Sequence, residues 1–299
     1  MGYSILVTGA AYGHGLLAAR ELALAGHTVY ACVPELNDLR ATHIEKVANW
    51  AIQHGVDLRI IELNVQSDAS VERGVAQIID AGQSLDVVIH GASHMAFGPA
   101  EAFTPEQMHL LFDINVVGCQ RVNRAVLPYL RKQGRGYLIW IGSLVMHMGT
   151  PPFLAPYFAA KAAMDVLAES YSTELAKWGI ETTIIVPGSF TRTMNRLANA
   201  ETPNDIAVGD AYLAGPYSGV PDKVLIGFIG MESDDVEPRT VAREIVRVVD
   251  LPFGTRPFRA HVGPSPGGTT ARIAAAETMR QEILDAMGLG DLISPAPES

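Results

Sequence analysis

Tyr157-Phe158-Ala159-Ala160-Lys161 sets a phenol and an ammonium four residues apart, one helical turn from each other on the same face. An unperturbed tyrosine titrates near pH 10, too high for efficient acid–base work at neutrality. A neighbouring cation favours the phenolate and lowers that value. With nine Tyr and five Lys in 299 residues, one such pair arises by chance about 0.15 times, so alone it proves little. A second segment, Thr8-Gly9-Ala10-Ala11-Tyr12-Gly13-His14-Gly15, offers different chemistry. Its glycines permit a tight turn and close backbone approach, and the N-terminus of a helix beginning there presents unpaired N–H groups to a pyrophosphate. Glycine strings also serve ordinary turns. The context that separates the two readings is a strand before and a helix after, and both are present.

The elements that must position these residues alternate along the chain. Strands are expected at Ser4–Thr8, Thr28–Val33, Leu58–Leu63, Asp86–His90, Gly136–Ile141, Glu181–Val186 and Arg259–Val262. Most are continuous apolar runs, as in Ile184-Ile185-Val186, which suits strands covered on both faces. Helices are expected at Leu16–Ala25, Ala41–His54, Ser70–Ala81, Pro105–Arg131, Pro156–Trp178 and Pro238–Val249, several closing on a glycine such as Gly26, Gly55, Gly82 or Gly179. This rhythm implies an α/β fold with one doubly wound parallel sheet and helices on both faces. Residues 191–237 break it, with scattered Gly and Pro and the acidic run Glu232–Glu237. A stretch this long without periodicity is expected to be a substrate lid or a loop, and the acidic run a solvated face. The expected organisation is a Rossmann-type domain over 1–263, with the lid inserted at 191–237. A C-terminal extension over 264–299 holds one amphipathic helix near Thr270–Met287.

Composition narrows the class. Hydrophobic residues at 48% and charged residues at 18% allow a large core and exclude a disordered chain. Lys and Arg number 22 against 32 Asp and Glu; the net charge of −10 argues against nucleic-acid or anionic-membrane partners. The two cysteines, Cys32 and Cys119, are too few for a disulfide framework and read as buried small hydrophobes. No apolar run is long enough to span a membrane, and the first residues carry neither a signal peptide nor a myristoylation motif. A reduced cytoplasmic location is therefore expected. The nine His show no zinc-type spacing, so no metal is expected.

The order of these features resembles the classical short-chain dehydrogenase/reductase family. The glycine loop has the family's Thr-Gly-x3-Gly-x-Gly spacing, Asn115 falls inside the long helix, and Ser143 ends the fifth strand. Tyr157-x3-Lys161 follows 14 residues later, and Pro187-Gly188 follows the sixth strand. The resemblance runs from residue 5 to about 263. It implies NAD(P)(H)-dependent hydride transfer between an alcohol and a carbonyl group. Tyr157 would be the general acid/base and Lys161 would lower its pKa while bonding the nicotinamide ribose. Ser143 would hydrogen-bond the substrate oxygen, and Asn115 would hold a water linking Lys161 to solvent. The other reading of Asn115 is a polar cap on a local helix irregularity. The cofactor would lie against Thr8, Gly9, Tyr12, Gly13, His14, Gly15, Val33, Asn64, Val65, Gly91, Ala92, Tyr157, Lys161, Pro187 and Gly188, with Thr191 or, preferred, Thr193 on the carboxamide.

Departures from the family are also legible. His90-Gly91-Ala92-Ser93 stands where members have Asn-Asn-Ala-Gly, Asn64-Val65 replaces an Asp-Val, and the Ser-to-Tyr interval is one residue longer, with Pro151-Pro152 inside it. At the end of the second strand Val33 replaces the acid that would bond a ribose 2′-hydroxyl, and neither Tyr12 nor Pro34 supplies a cation for a 2′-phosphate. Glu35 and Asp38 oppose an extra phosphate while Arg40 favours one; the balance leans to NAD(H). The substrate wall is expected from His94, Met95, Phe97, Ser143, Leu144, Val145, Ser189 and Met194, mostly apolar with few polar anchors. That wall suits a medium-sized, largely apolar alcohol or ketone. Two other readings are a dinucleotide sensor without chemistry and a nucleotide-sugar epimerase or dehydratase. The first would not need Ser, Tyr and Lys together; the second tends to have a different glycine spacing and a longer C-terminal domain. The resemblance further implies a homodimer or homotetramer.

Overall fold

The computed structural model of the chain describes residues 2–34, 41–82, 84–144, 146, 149–190, 194, 199–232 and 237–295. Seven strands form one sheet: β1 (Ser4–Val7), β2 (Thr28–Val33), β3 (Leu58–Glu62), β4 (Val87–His90), β5 (Gly136–Ile141), β6 (Ile180–Pro187) and β7 (Arg259–Val262). Their spatial order is β3-β2-β1-β4-β5-β6-β7, and every pairing is parallel. The order reverses between β1 and β4, where Leu6 lies opposite Val88. Chains leaving these two strands turn away from each other, so a crevice opens beyond their carboxyl ends.

Alternation along each strand divides the apolar residues between two layers. Ile5, Val7, Val87, Ile89, Ile139 and Ile185 face one layer, covered by helices α1 (Gly13–Leu24) and α2 (Ala41–His54), and by a later helix at Arg239–Asp250. Leu6, Val88, Leu138 and Ile184 face the other. It is covered by α3 (Asp68–Asp80), by the second part of the helix that follows β4, and by the helix that follows β5. Burial on both faces explains why β5, Val87–Ile89 of β4 and Ile184–Val186 of β6 read as apolar runs.

The helix expected over Pro105–Arg131 is three pieces: α4 (Pro105–Phe112), a π-helical turn at Asp113–Val117, and α5 (Gly118–Gln133). After β5 comes α6 (Ala155–Leu175), ending in a 3-10 turn at Ala176–Trp178. The stretch expected to lack periodicity contains α7 (Ile206–Ala214) and α8 (Val220–Gly230), followed by α9 (Arg239–Asp250). Helices α7 and α8 are apolar around most of their circumference, so they carry no amphipathic stripe to read. The acidic run is not wholly solvated: Glu232 is buried, and its Oε1 lies 3.3 Å from the Ser189 hydroxyl.

The last helix, α10 (Thr269–Ala286), folds back on its own chain. Arg280 is buried with its guanidinium over the Phe258 ring at 4.1 Å, donating to Ser172 Oγ at 2.7 Å. Ser172 lies late in α6, so this half of α10 docks where β6 begins, the opposite end of the sheet from the crevice.

His90 closes β4 inside the second layer. Its Nε2 is 2.9 Å from Asn123 Oδ1, its ring lies 4.3 Å from that of Trp140 at a tilt of 40°, and burial pushes its pKa down to about 4. The native state keeps this imidazole neutral, whereas the unfolded chain binds a proton below about pH 6.5. The resulting stability, about 3 kcal/mol in full, is present above pH 6.5 and is lost as pH falls towards 4. In urea titrations between these pH values, His90→Asn should flatten the acid-side loss of stability relative to the parent protein; parallel curves would contradict this account.

Candidate active site

The crevice is built by backbone contact. After β1 the chain turns through Gly9, whose φ of +66° suits glycine and whose missing Cβ would lie 2.5 Å from the Cα of Ala92 beyond β4. A Cβ on Gly15, in the first turn of α1, would collide with Gly9 O. The first turn of α1 contains no acid, and Tyr12 at its cap makes no side-chain cap bond, which leaves the helix N-terminus suited to an anion.

A cavity of about 710 Å³ runs along these strand ends. Gly9, Tyr12, Gly13, His14 and Gly15 line it from the first turn, Pro34 from β2, and Leu63, Asn64, Val65 and Gln66 from β3. Gly91, Ala92, Ser93, His94 and Met95 line it from β4, and Gly142 and Lys161 from β5 and α6. Leu110, Ile114, Met194, Asn199 and Glu201 complete the wall. The glycine cradle, the uncapped helix and the length of this cavity fit a dinucleotide, with its pyrophosphate at Gly13–Gly15 and its reactive end near Lys161.

Several residues expected to touch the cofactor instead shape the wall from behind. Thr8 is buried; its Oγ1 accepts from Gly91 N at 3.0 Å and Ala92 N at 3.2 Å, fixing the end of β4 against β1. Val33 is buried at the end of β2, and its successor Pro34 lines the cavity instead. Pro187 ends β6, and Gly188 packs so tightly on Pro264 that a Cβ would run into Pro264 O; neither lines the cavity. Asn64 turns its Oδ1 back to Gln66 N at 3.0 Å while still facing the cavity. His14 packs edge-on to Phe190 at 5.4 Å while still lining the cavity. Thr191 and Thr193 lie outside the described residues, as do Val145, Glu35, Asp38 and Arg40.

Lys161 is 2% exposed, lines the cavity, and donates from Nζ to Ile141 O at 2.9 Å, which ties α6 to the end of β5. Tyr157, one turn earlier, is 3% exposed. It packs with Leu154 and Phe158 against Met95 and Phe97, beneath Val224 and Phe228 of α8. Ser143 is half-buried next to Gly142, at the end of β5. The longer Ser-to-Tyr connection includes Phe153 at φ +70°, the only non-glycine residue in the left-handed region among the described residues.

Asn115 sits in the π-helical turn. Its Nδ2 donates to Leu111 O at 2.8 Å and His94 O at 3.0 Å; its Oδ1 accepts from Ser93 Oγ at 2.8 Å and His94 N at 3.3 Å. Both donors and both acceptor positions of the amide are used, so the side chain clips the π-helical turn to the β4 loop, the polar role at a helix irregularity that is the other reading of this residue. Among the expected substrate residues, His94, Met95 and Met194 line the cavity. Leu144 is buried in the second layer instead, Phe97 packs edge-on to Phe153 at 6.2 Å, and Ser189 is buried with its hydroxyl 3.1 Å from Phe228 O.

Glu201 is the residue that sequence reasoning missed. It is joined to the β4 loop by a parallel bridge to Ala96, and its Oε2 lies 3.1 Å from His94 Nε2. Gln107 Nε2 donates to Oε1 at 3.1 Å, and hydrogen bonds from His94 and then Gln107 hold the carboxyl below its ordinary range. A single bridge across more than a hundred residues leaves no periodic signal. Both cysteines are free and buried, with thiols pushed up to about 12 by burial. No group of His, Cys, Asp or Glu among the described residues is placed to hold a metal, and no described helix is long and apolar enough to cross a membrane.

A doubly wound parallel sheet with a glycine-built crevice at its switch point, and a lysine on the crevice wall, defines a dinucleotide-binding α/β protein. The family model of the short chain dehydrogenases matches residues 4–203. Among curated relatives, a 3-ketodihydrosphingosine reductase of Bacteroides thetaiotaomicron is 29% identical over 262 residues, covering 87% of each chain. Retinol dehydrogenase 8 of Bos taurus is 28% identical over 254 residues, covering 82% of this chain and 77% of its own. A short-chain dehydrogenase from Streptomyces avermitilis superimposes with a TM-score of 0.72 at 22% identity, covering 95% of this chain and 97% of its own. An alcohol dehydrogenase from Thermococcus sibiricus, complexed with 5-hydroxy-NADP, gives 0.68 at 20% identity, covering 88% and 97%. The chain belongs to the short-chain dehydrogenase/reductase family of NAD(P)-dependent oxidoreductases.

The close approach at Gly9 yields a direct test. Gly9→Ala must displace the backbone at Ala92, and dinucleotide binding, followed by fluorescence of the reduced cofactor, should weaken at least about tenfold, as a loss of about 1.4 kcal/mol would do. Parental affinity would contradict the crevice geometry.

Proposed function

We propose that the protein interconverts a secondary alcohol and a ketone, or an alcohol and an aldehyde, on a medium-sized, largely apolar substrate. The observation that carries this reading is the placement of Lys161 on the cavity wall, with Tyr157 one turn before it on α6. The dinucleotide, when bound, supplies or accepts the hydride. Tyr157 gives the proton to the carbonyl oxygen, or takes it from the alcohol. Lys161 favours the phenolate by its charge and bonds the nicotinamide ribose. Ser143, beside the lining residue Gly142, holds the substrate oxygen as charge develops on it.

Met95, Leu110, Ile114 and Met194 give the wall an apolar character suited to such a substrate. The names of the two relatives, a 3-ketodihydrosphingosine reductase and a retinol dehydrogenase, support interconversion of a carbonyl and an alcohol. Helix α8 is the lid: Val224 and Phe228 cover the Tyr157 cluster, and substrate reaches the phenol when this helix lifts. NAD(H) is the proposed cofactor, because Val33 and Pro34 bring no cation to a 2′-phosphate. A homodimer or homotetramer is the proposed assembly.

Tyr157→Phe should lower turnover of a responsive alcohol by at least about 10²-fold while dinucleotide affinity is retained. A fall much smaller than this would sink the assignment of the phenol. Titration of the free enzyme with NADH and NADPH, followed by nicotinamide fluorescence, should show tighter NADH binding; an NADPH preference would overturn the cofactor assignment.

A further inference from the structure

Glu201 is the only acid lining the cavity among the described residues, and it stands on the same wall as Lys161 and His94. Its backbone is clamped to the β4 loop, Glu201 N donating to Met95 O at 2.7 Å and Phe97 N donating to Glu201 O at 3.0 Å. Gln107, 4% exposed, secures the segment from behind. Its Nε2 donates to Thr202 O at 2.8 Å as well as to Glu201, and its Oε1 accepts from Asn204 N at 2.9 Å. The carboxylate side chain remains 30% exposed.

We infer that Glu201 is a specificity anchor for the ammonium group of an amphiphilic amino alcohol or amino ketone, a proposal that rests on the oxidoreductase reading above. One donor on each oxygen leaves a carboxylate with further acceptor positions, since its two oxygens offer about four in all. No lysine or arginine among the described residues forms an ion pair with it; its side-chain partners there are His94 and Gln107. The surrounding wall, Met95, Leu110 and Met194, gives an apolar body somewhere to lie while the charged end is held. An ammonium brings a full opposite charge to the carboxylate as well as a hydrogen bond, whereas a hydroxyl brings the hydrogen bond alone, so the ammonium repays the desolvation of this carboxylate better. An anionic group at the same place meets repulsion.

The test compares oxidation of a medium-chain 1-amino-2-alkanol with that of the chain-matched 2-alkanol, in the parent enzyme, Glu201→Gln and Glu201→Asp. Glu201→Gln keeps the side-chain length and hydrogen bonding but removes the charge. The parent should prefer the amino alcohol in kcat/KM, and Glu201→Gln should lower the ratio of the two values about tenfold. Glu201→Asp should restore part of it. In parallel, protection against thermal unfolding is measured for the dinucleotide-loaded protein with a medium-chain alkylamine and the matching alkanol. The parent should be protected more by the amine, and Glu201→Gln should lose that difference. Equal losses on both substrates, or no amine preference in either assay, would overturn the anchor and leave the oxidoreductase reading standing. Glu201-dependent amine binding with no turnover of either alcohol would support the anchor and count against that reading instead.

Discussion

Everything in this molecule depends on three stretches of backbone coming into contact at the switch point of the sheet. The turn after β1 passes against the end of β4, and the first turn of α1 passes against that turn. Side chains at Gly9 or Gly15 would force these strands apart. Thr8 then locks the arrangement by accepting from two successive backbone amides of β4. The cavity exists because these contacts are made, and its glycine end is positive because α1 begins there without an acidic residue.

The other end of the cavity is assembled from parts far apart in sequence. Lys161 is fixed through Ile141 O at the end of β5, and Asn115 clips a π-helical turn to the loop after β4. Glu201 and Gln107 fasten the segment beyond β6 to that same loop. Val224 and Phe228 of α8 pack on the Tyr157 cluster, and the Ser189 hydroxyl donates to Phe228 O at 3.1 Å.

Legibility in the sequence followed burial. Strand β5 spans the same residues as the apolar run that indicates it, because a strand covered on both faces has no polar positions to blur its ends. The glycine loop and the Tyr157–Lys161 pair were legible because each is local: one turn, one helix face. Helices α7 and α8 were not, since neither presents a polar face. The π-helical turn keeps the same apolar pattern as the helices around it, so only Asn115 hinted at an irregularity. Thr8, Leu144 and Glu201 show the remaining limit. Whether a side chain faces a cavity or its supporting shell is decided by distant partners, and spacing alone does not report them.

The central claim is that one cavity brings the reactive end of a dinucleotide to the Tyr157–Lys161 face of α6. A crystal structure with the cofactor bound tests it most directly. The account predicts the pyrophosphate against Gly13–Gly15, and the nicotinamide within hydrogen-bonding reach of Lys161 with Tyr157 facing the same space. A nicotinamide pointing away from α6, or a dinucleotide lodged elsewhere on the protein, would contradict it.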